Sequence, residues 1–399
     1  MKKLLLLSSC LIIGLFGCVS SQQESSKAIT NPAESNSSFP RLTTDNTGTV
    51  FMSWVEEKDN IATLKYASFQ EQSWKSAEEI ASDSSWFVNW ADFPTIVSQN
   101  GKPMAVHWLK KVPGNAYSYN IKLTSYSNTW SAPMNLHEDN TATEHGFVSM
   151  TPAGDSKILA TWLDGRNTAN RKQDEYSDMS KAMTLRAAFV DKDSPEIIEK
   201  FELDSSVCDC CNTAITDTDD GYLVIYRNRT SEEIRDIYYT KYSNGTWTNP
   251  QPLNDDGWHI AGCPVNGPAV DSNGQDVAAS WFTGANGKAM VKMALSNDNG
   301  TTFGSPIIVD DVSPTGRVDL NYSDSKIWVS WLGEYEDEAA LMIRSYAPDG
   351  TPLNTHYLTD ISKKRSAGFP QITPYKNGLM IAYTDVSGEQ PVVRTKIIP

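Results

Sequence analysis

The 399-residue sequence is short of basic charge: 34 Lys and Arg stand against 49 Asp and Glu, a formal charge of −15 at pH 7. That balance argues against holding nucleic acid or anionic headgroups by bulk electrostatics. Long hydrophobic runs are missing too. The apolar stretch Leu4 to Phe16 is too short to span a bilayer. Cysteine is scarce. Six are present, two of them before residue 19 and the other four between 208 and 263. Thiol chemistry beyond the N-terminus is therefore confined to one stretch. Aromatics are not scarce: 12 Trp and 16 Tyr supply ample core material. Gly, Asn, Asp, Ser and Thr recur throughout, as many short strands joined by tight turns require. A chain of this length can hold two or three ordinary domains or one large all-β domain.

Residues 1–17 read as a targeting segment, with Lys2 and Lys3 before the apolar run. The segment ends in Leu15-Phe16-Gly17-Cys18, which resembles the lipobox of bacterial lipoproteins. The resemblance implies a lipid on Cys18, and Val19 in place of Asp implies the outer membrane. Ordinary signal cleavage nearby, or an uncleaved anchor, is the alternative. Loss of the segment removes two lysines and moves the formal charge to −17. Residues 18–38 are rich in Ser, Gln, Asn and Glu and read as a flexible tether.

From Phe39 to Pro399 one pattern repeats. A short apolar strand leads to a polar turn, then to a second strand ending in a small residue and an aromatic, then to a third and a short fourth strand. The second-strand ending appears as Ser53-Trp54, His107-Trp108, Thr161-Trp162, Ile225-Tyr226, Ser280-Trp281, Ser330-Trp331 and Ala382-Tyr383. A spacing of roughly 50 to 65 residues in four-stranded units is the signature of a β-propeller. Residues 39–399 are thus expected to form one all-β domain of seven four-stranded blades. A six-bladed ring with one atypical copy is the alternative. The last copy has three strand-like segments, and Ser26 to Thr30 matches the fourth-strand pattern, so the tether is expected to complete the last blade and close the ring.

Ser296-Asn297-Asp298-Asn299-Gly300-Thr301-Thr302-Phe303 matches an Asp-box, with degenerate cousins at Ser243 to Trp247 and Ser127 to Trp130. On these residues the chain resembles the sialidase-like, BNR-repeat propeller superfamily. That resemblance implies the fold and points to a glycan or acidic-sugar ligand. It carries no catalytic arginine onto Arg41, because Phe39-Pro40-Arg41-Leu42 alters the order of the family's Phe-Arg-Ile-Pro motif.

In a propeller, the links between blades and the turns between second and third strands share one face, where ligand sites gather around the channel mouth. The unusual chemistry of this chain sorts to that face around blades three to five. Candidate ligand-binding residues are Arg166, Arg227, Arg229 and Arg235, which could grip a carboxylate or sulfate, Trp90 and Trp258 as stacking surfaces, and His145 and His259. Ion pairing with Asp164, Glu232, Glu233 and Asp236 is the competing use of those arginines. Candidate catalytic carboxylates are Asp92, Glu144, Asp164, Glu232 and Asp256.

For Cys208, Cys210, Cys211 and Cys263 the default in an oxidising envelope is two disulfides. A bridge from Cys211 to Cys263 is geometrically reasonable, and one between Cys210 and Cys211 would be strained. The alternative is a soft metal such as Cu(I), with His259 or His145 as a further ligand, since Cys-x-Cys-Cys is not a zinc-finger spacing. The leading expectation is a lipid-anchored propeller that binds a glycan or anionic small molecule, with membrane contact through the anchor only and no nucleic acid. A sialidase-type exo-glycosidase and a metal-binding or interaction scaffold are the alternatives.

Overall fold

The computed structural model describes residues 26–398 apart from residue 324. The targeting segment, Cys18 and the start of the tether lie outside the described residues. The described chain folds into seven antiparallel sheets. Blade 1 comprises Ser37–Thr44, Val50–Lys58, Ile61–Gln70 and Glu78–Asp83; blade 2 Ile96–Gln99, Lys102–Lys111, Tyr119–Ser125 and Met134–Asn135. Blade 3 comprises His145–Pro152, Lys157–Asp164, Met183–Asp191 and Ile197–Val207; blade 4 Ala214–Thr218, Gly221–Arg227, Ile237–Ser243 and an edge split between Thr246–Trp247 and Gln251–Pro252. Blade 5 comprises Ala269–Asn273, Asp276–Thr283, Met290–Ser296 and Ile307–Asp310; blade 6 Gly316–Ser323, Lys326–Tyr335, Glu338–Tyr346 and Pro352–Leu358. Blade 7 comprises Gln371–Tyr375, Gly378–Asp385 and Val392–Ile398, and its outermost strand is Lys27–Ala28, which pairs antiparallel with Val392–Ile398. The molecule is a seven-bladed β-propeller whose first and last described strands share a sheet.

The recurring aromatic at the end of each second strand has a structural reason. Tyr226 Oη donates to Asp204 at 2.6 Å, Trp281 Nε1 to Asp256 at 2.7 Å, Trp331 Nε1 to Asp310 at 2.6 Å and Tyr383 Oη to Asp360 at 2.8 Å. In each case the acid comes from the end of the preceding blade's fourth strand or just beyond it. The ring fills the space between sheets while its polar tip satisfies a carboxylate, which is how large aromatics are buried at low cost. A second set of acids works near the axis. Asp92 accepts from Phe147 N at 2.7 Å, Asp271 from Tyr322 N at 2.8 Å and Asp319 from Ile372 N at 2.9 Å, each joining one blade to the next. Burial raises the pKa of all three carboxyls, Asp92 to about 8 and Asp271 to about 7.

The Asp-box of blade 5 is a closed turn. Asp298 accepts from Thr302 N at 2.9 Å, Thr302 Oγ1 at 2.6 Å and Ser296 Oγ at 2.7 Å, and Gly300 sits at φ 71°. It joins third to fourth strand, on the face away from the inter-blade links.

The channel departs from expectation. Trp90 stacks on Phe369 at 5.9 Å, Phe93 packs on Phe369 at 5.8 Å, and the Arg317 guanidinium of blade 6 lies 4.9 Å from the Trp90 ring. Phe39 and Phe147 join this cluster. Side chains from opposite blades meet across the axis and plug the link-loop end. Bulges after Ser38, Gly146 and Gly316, with Phe39, Phe147 and Arg317 at φ 53–55°, turn these side chains inward. The channel cavity, about 1110 Å³, is lined instead by the first strands and by the first-to-second turns, including Asp45, Asp217 and Asn273. The open mouth lies on the face expected to be bland.

Candidate functional site: a thiol cluster among buried arginines

The turn between second and third strands of blade 4, residues 228–236, gathers the site by bonding to both of its neighbours. On one side Cys208 N donates to Arg227 O at 3.0 Å, and Ser206 Oγ to Arg229 O at 2.8 Å. On the other, Arg235 N donates to Trp258 O at 2.9 Å and Ile260 N to Glu233 O at 3.0 Å. These bonds carry Cys208 at the end of blade 3 and Cys263 ahead of blade 5 to the same rim. The placement of Arg227 and Cys263 on one face, read from strand alternation, is the placement found.

Cys208, Cys210 and Cys211 bring their sulfur atoms within 4.8 Å of one another. The Cys208 Sγ lies 2.9 Å from that of Cys211 and 3.9 Å from that of Cys210. Cys263 stands on the Cys210 side of this group and, with the other two thiols, pushes the Cys210 pKa up. All four cysteines are unbridged. The expected Cys211–Cys263 proximity is not what forms: Cys211 faces Cys208, and Cys263 faces Cys210. The Cys-Asp-Cys-Cys segment curls tightly enough to fold its first thiol back on its last.

Arg235 Nη1 points at Cys208 Sγ, 3.5 Å away. Burial alone would raise the Cys208 pKa, but hydrogen bonds from Cys210 and Cys211 and the Arg235 charge outweigh it, leaving the pKa well below that of an ordinary thiol. Cys211 is shifted the other way, by burial and by its bond to Cys208. The shift favours the thiolate at Cys208 and the thiol at its neighbours.

The arginines expected to form an open anion clamp are committed elsewhere. Arg227, 2% exposed, donates to Asn266 O from Nε at 3.0 Å and Nη2 at 2.8 Å, to Phe282 O at 2.8 Å and to Arg235 O at 2.6 Å. Its guanidinium also lies 4.8 Å from the Trp258 ring. Arg229 and Arg235 share Glu233, at 2.5 and 2.8 Å. Tyr176, on the strap that joins second and third strands of blade 3, closes over them. Its carbonyl accepts from Arg229 at 2.7 Å, its hydroxyl from Arg235 at 3.2 Å, and its ring lies 4.0 Å from Arg229 and 4.7 Å from Arg171. Arg171 in turn pairs with Asp209 at 2.9 Å. The competing expectation, ion pairing within the loops, describes Arg229 and Arg235, whereas Arg227 is held by backbone carbonyls. Glu233 is the acid that matters, whereas Glu232 is exposed and bonded to Ser231.

Arg166 belongs to a separate cluster. It bonds Asp164 through Nε at 2.7 Å and lies 3.3 Å from Asp139. His145 stacks on His137 at 3.7 Å and faces Asp139 at 3.1 Å. His137 Nδ1 is 2.9 Å from the same Asp139 oxygen, and burial lowers the His137 pKa. Burial would raise that of Asp139, but hydrogen bonds from both histidines and Thr141 bring it far down. His145, Asp164 and Arg166 are therefore loop-packing groups in this structure, with His137 and Asp139 as partners that no sequence pattern marked.

The remaining candidates scatter. Tyr119 Oη donates to Glu144 at 2.7 Å and to Asp92 at 3.3 Å, the tyrosine–glutamate pairing a sialidase-type reaction would want. Yet Tyr119 is fully buried beneath Phe87, stacked 4.2 Å away, so no sugar reaches it. Burial raises the Glu144 pKa to about 7. Asp256 holds Trp281 and Lys292. Trp258 is buried, and Trp90 belongs to the channel plug, so neither presents a flat face for stacking. His259 is exposed and stands outside the gathered thiols.

The fold and this rim define a propeller with a thiol-bearing loop face. No protein-family profile matches the chain, and no curated protein matches it in sequence. Solved structures are similar in fold. The polysaccharide lyase Uly1 superposes with a TM-score of 0.50 at 10% identity, over 88% of this chain and 88% of the lyase. The Hadza microbial sialidase Hz136 gives 0.45 at 12%, over 74% of this chain and 63% of that one. The acylaminoacyl peptidase of Pyrococcus horikoshii gives 0.47 at 11%, over 92% and 52%, so the chain spans about half of the peptidase's length. At such identities the likeness is one of fold.

Proposed function

We propose that this chain is a metal-binding propeller of the bacterial cell envelope, lipid-anchored through Cys18, which holds a soft metal ion on thiolates at the loop face of blades 4 and 5. The observation that carries the reading is the gathering of Cys208, Cys210 and Cys211, unbridged, within 4.8 Å. An all-sulfur donor set selects Cu(I) or Zn(II) over hard cations, and the Cys-x-Cys-Cys spacing is foreign to zinc ribbons and fingers.

Charge supports the same reading. Arg227 is bonded only to carbonyls, Arg229 and Arg235 share Glu233, and Arg229 also lies 3.8 Å from Asp209. Asp236 spends its oxygens on Gly257 N and Trp258 N. Arg235, 3.5 Å from Cys208 Sγ, places positive charge beside the thiols, which suits a metal–thiolate centre of net negative charge.

The test is titration of the reduced protein under anaerobic conditions with Cu(I) against a chromophoric Cu(I) chelator, and with Zn(II) in parallel. One Cu(I) per chain is expected, with sulfur-to-copper absorption that disappears in Cys208→Ser and Cys211→Ser. Two disulfides in protein isolated from the envelope, with no metal uptake by the reduced form, would overturn the proposal.

A further inference from the structure

We propose that Cys263 is the entry ligand of this site: it takes Cu(I) from a thiol-bound donor and passes it by way of Cys210 to the buried pair Cys208 and Cys211. The inference rests on the thiolate reading above.

Burial is graded along the four thiols. Cys263 is exposed, Cys210 half-buried, Cys211 1% exposed and Cys208 fully buried. The gradient follows the spatial order, since Cys263 neighbours Cys210, and Cys210 lies 3.9 Å from Cys208. The other approach is closed. Tyr176 sits over Arg229 and Arg235 with bonds to both, and Arg235 covers Cys208. Among the described residues, the exposed thiol of the cluster is the one that lies on the blade 5 link. That link is well placed to reach outward. Its last backbone bond to the blade 4 turn is at Ile260, and Ala261 and Cys263 beyond it are exposed. A side chain added at Gly262 would meet nothing closer than Ile260, at 3.9 Å.

The transfer is ligand exchange without change of oxidation state. The Cys263 sulfur forms a bond to Cu(I) as a donor thiolate's bond to it breaks, and the leaving sulfur takes up the proton that Cys263 gives up. Cys210 then displaces Cys263 in the same manner, and the ion settles on the inner thiols beside Arg235. An ion held there is shielded from water and from competing thiols, while Cys263 is free to repeat the exchange in reverse.

The experiment follows sulfur-to-copper absorption in anaerobic stopped flow, with a Cu(I)–glutathione complex as donor. For Cys263→Ser the expected result is loading about tenfold slower than wild type or more, with equilibrium affinity within about threefold. Equal loading rates would overturn the entry role. A loss of affinity as large as that of Cys208→Ser would also overturn it, by making Cys263 a permanent ligand. Failure of the wild type to take up Cu(I) would instead sink the thiolate reading itself. Circular dichroism of the variant checks the fold, and because Cys263 is exposed no change is expected there.

Discussion

Arg227 decides between two uses of the arginine-rich rim. The substitution is Arg227→Lys, which keeps the charge and most of the length. In the folded protein the guanidinium makes four N–H···O bonds of 2.6–3.0 Å to three carbonyls, those of Asn266, Arg235 and Phe282. These span the second strand of blade 4, its outer turn and blade 5. A lysine ammonium is a compact point charge and cannot replace a planar fork; it can meet about two of the carbonyl contacts. Two lost bonds to a charged group, at about 1.5–3 kcal/mol each, make the expected loss about 3–6 kcal/mol. Part of the lost contact with the Trp258 ring, 4.8 Å from the guanidinium, adds to it. Against a total stability of about 5–15 kcal/mol that is a large fraction. The assay is equilibrium urea unfolding followed by tryptophan fluorescence, with the slope checked for constancy. A loss below about 1 kcal/mol would refute the reasoning, and unchanged stability with weakened binding of an anion would restore the clamp.

Asp298→Ala removes three bonds inside one exposed turn; about 1–2 kcal/mol of stability should go, and metal uptake should not change. For pH, the sign follows from Asp92. Burial lifts its folded pKa to about 8, so the folded state holds a proton that the unfolded carboxyl, near 4, has released. Its contribution is complete below pH 4 and is lost as pH rises toward 8. Wild-type melting temperature should fall over that window and Asp92→Asn should flatten the fall; parallel curves would count against it. Deleting residues 26–30 unpairs Lys27–Ala28 from Val392–Ile398, leaving blade 7 with an open edge. Faster proteolysis confined to blade 7 is expected, and identical digestion patterns would refute the clasp. Cys18→Ser should abolish radiolabelled palmitate incorporation and release the protein from membranes, and retained label would exclude that anchor.

Architecture was legible because propeller blades repeat a local pattern. Trp54, Trp108, Trp162, Tyr226, Trp281, Trp331 and Tyr383 recur since each fills the same gap between sheets, and alternation of strand direction then fixes which loops share a rim. The site was legible only to that depth. Strand direction placed Arg227, Cys208 and Cys263 together, but could not say where their side chains aim. Arg227 turns inward to carbonyls of blade 5, contacts that no pattern in residues 227–236 encodes. Asp256 stood out as an acid on a link, and its role as acceptor for Trp281 appears only once blades 4 and 5 are adjacent. Tyr176 was not marked at all, a loop tyrosine among polar residues, and Glu233 was marked only as one of four acids that could pair with the arginines. The channel plug was hidden for a different reason. It depends on bulges after Ser38, Gly146 and Gly316 that send ordinary core aromatics across the axis.

The acids and arginines of this face carry a common lesson about where unsatisfied chemistry remains. The buried guanidiniums of blade 4 have acceptors at hydrogen-bond distance, Arg229 Nη1 excepted, and the linked carboxylates of blades 3 to 6 each hold an aromatic tip. Groups so engaged cannot also bind a ligand without giving up bonds worth about 1–3 kcal/mol apiece. The thiols differ. A thiol is a weak donor and a weak acceptor, so mutual contacts at 2.9 and 3.9 Å stabilise little. Two of the three gathered thiols, Cys208 and Cys211, are buried, with Arg235 beside Cys208. Under the proposed reading a soft cation draws the sulfur atoms onto a common centre, with negative charge left over for Arg235.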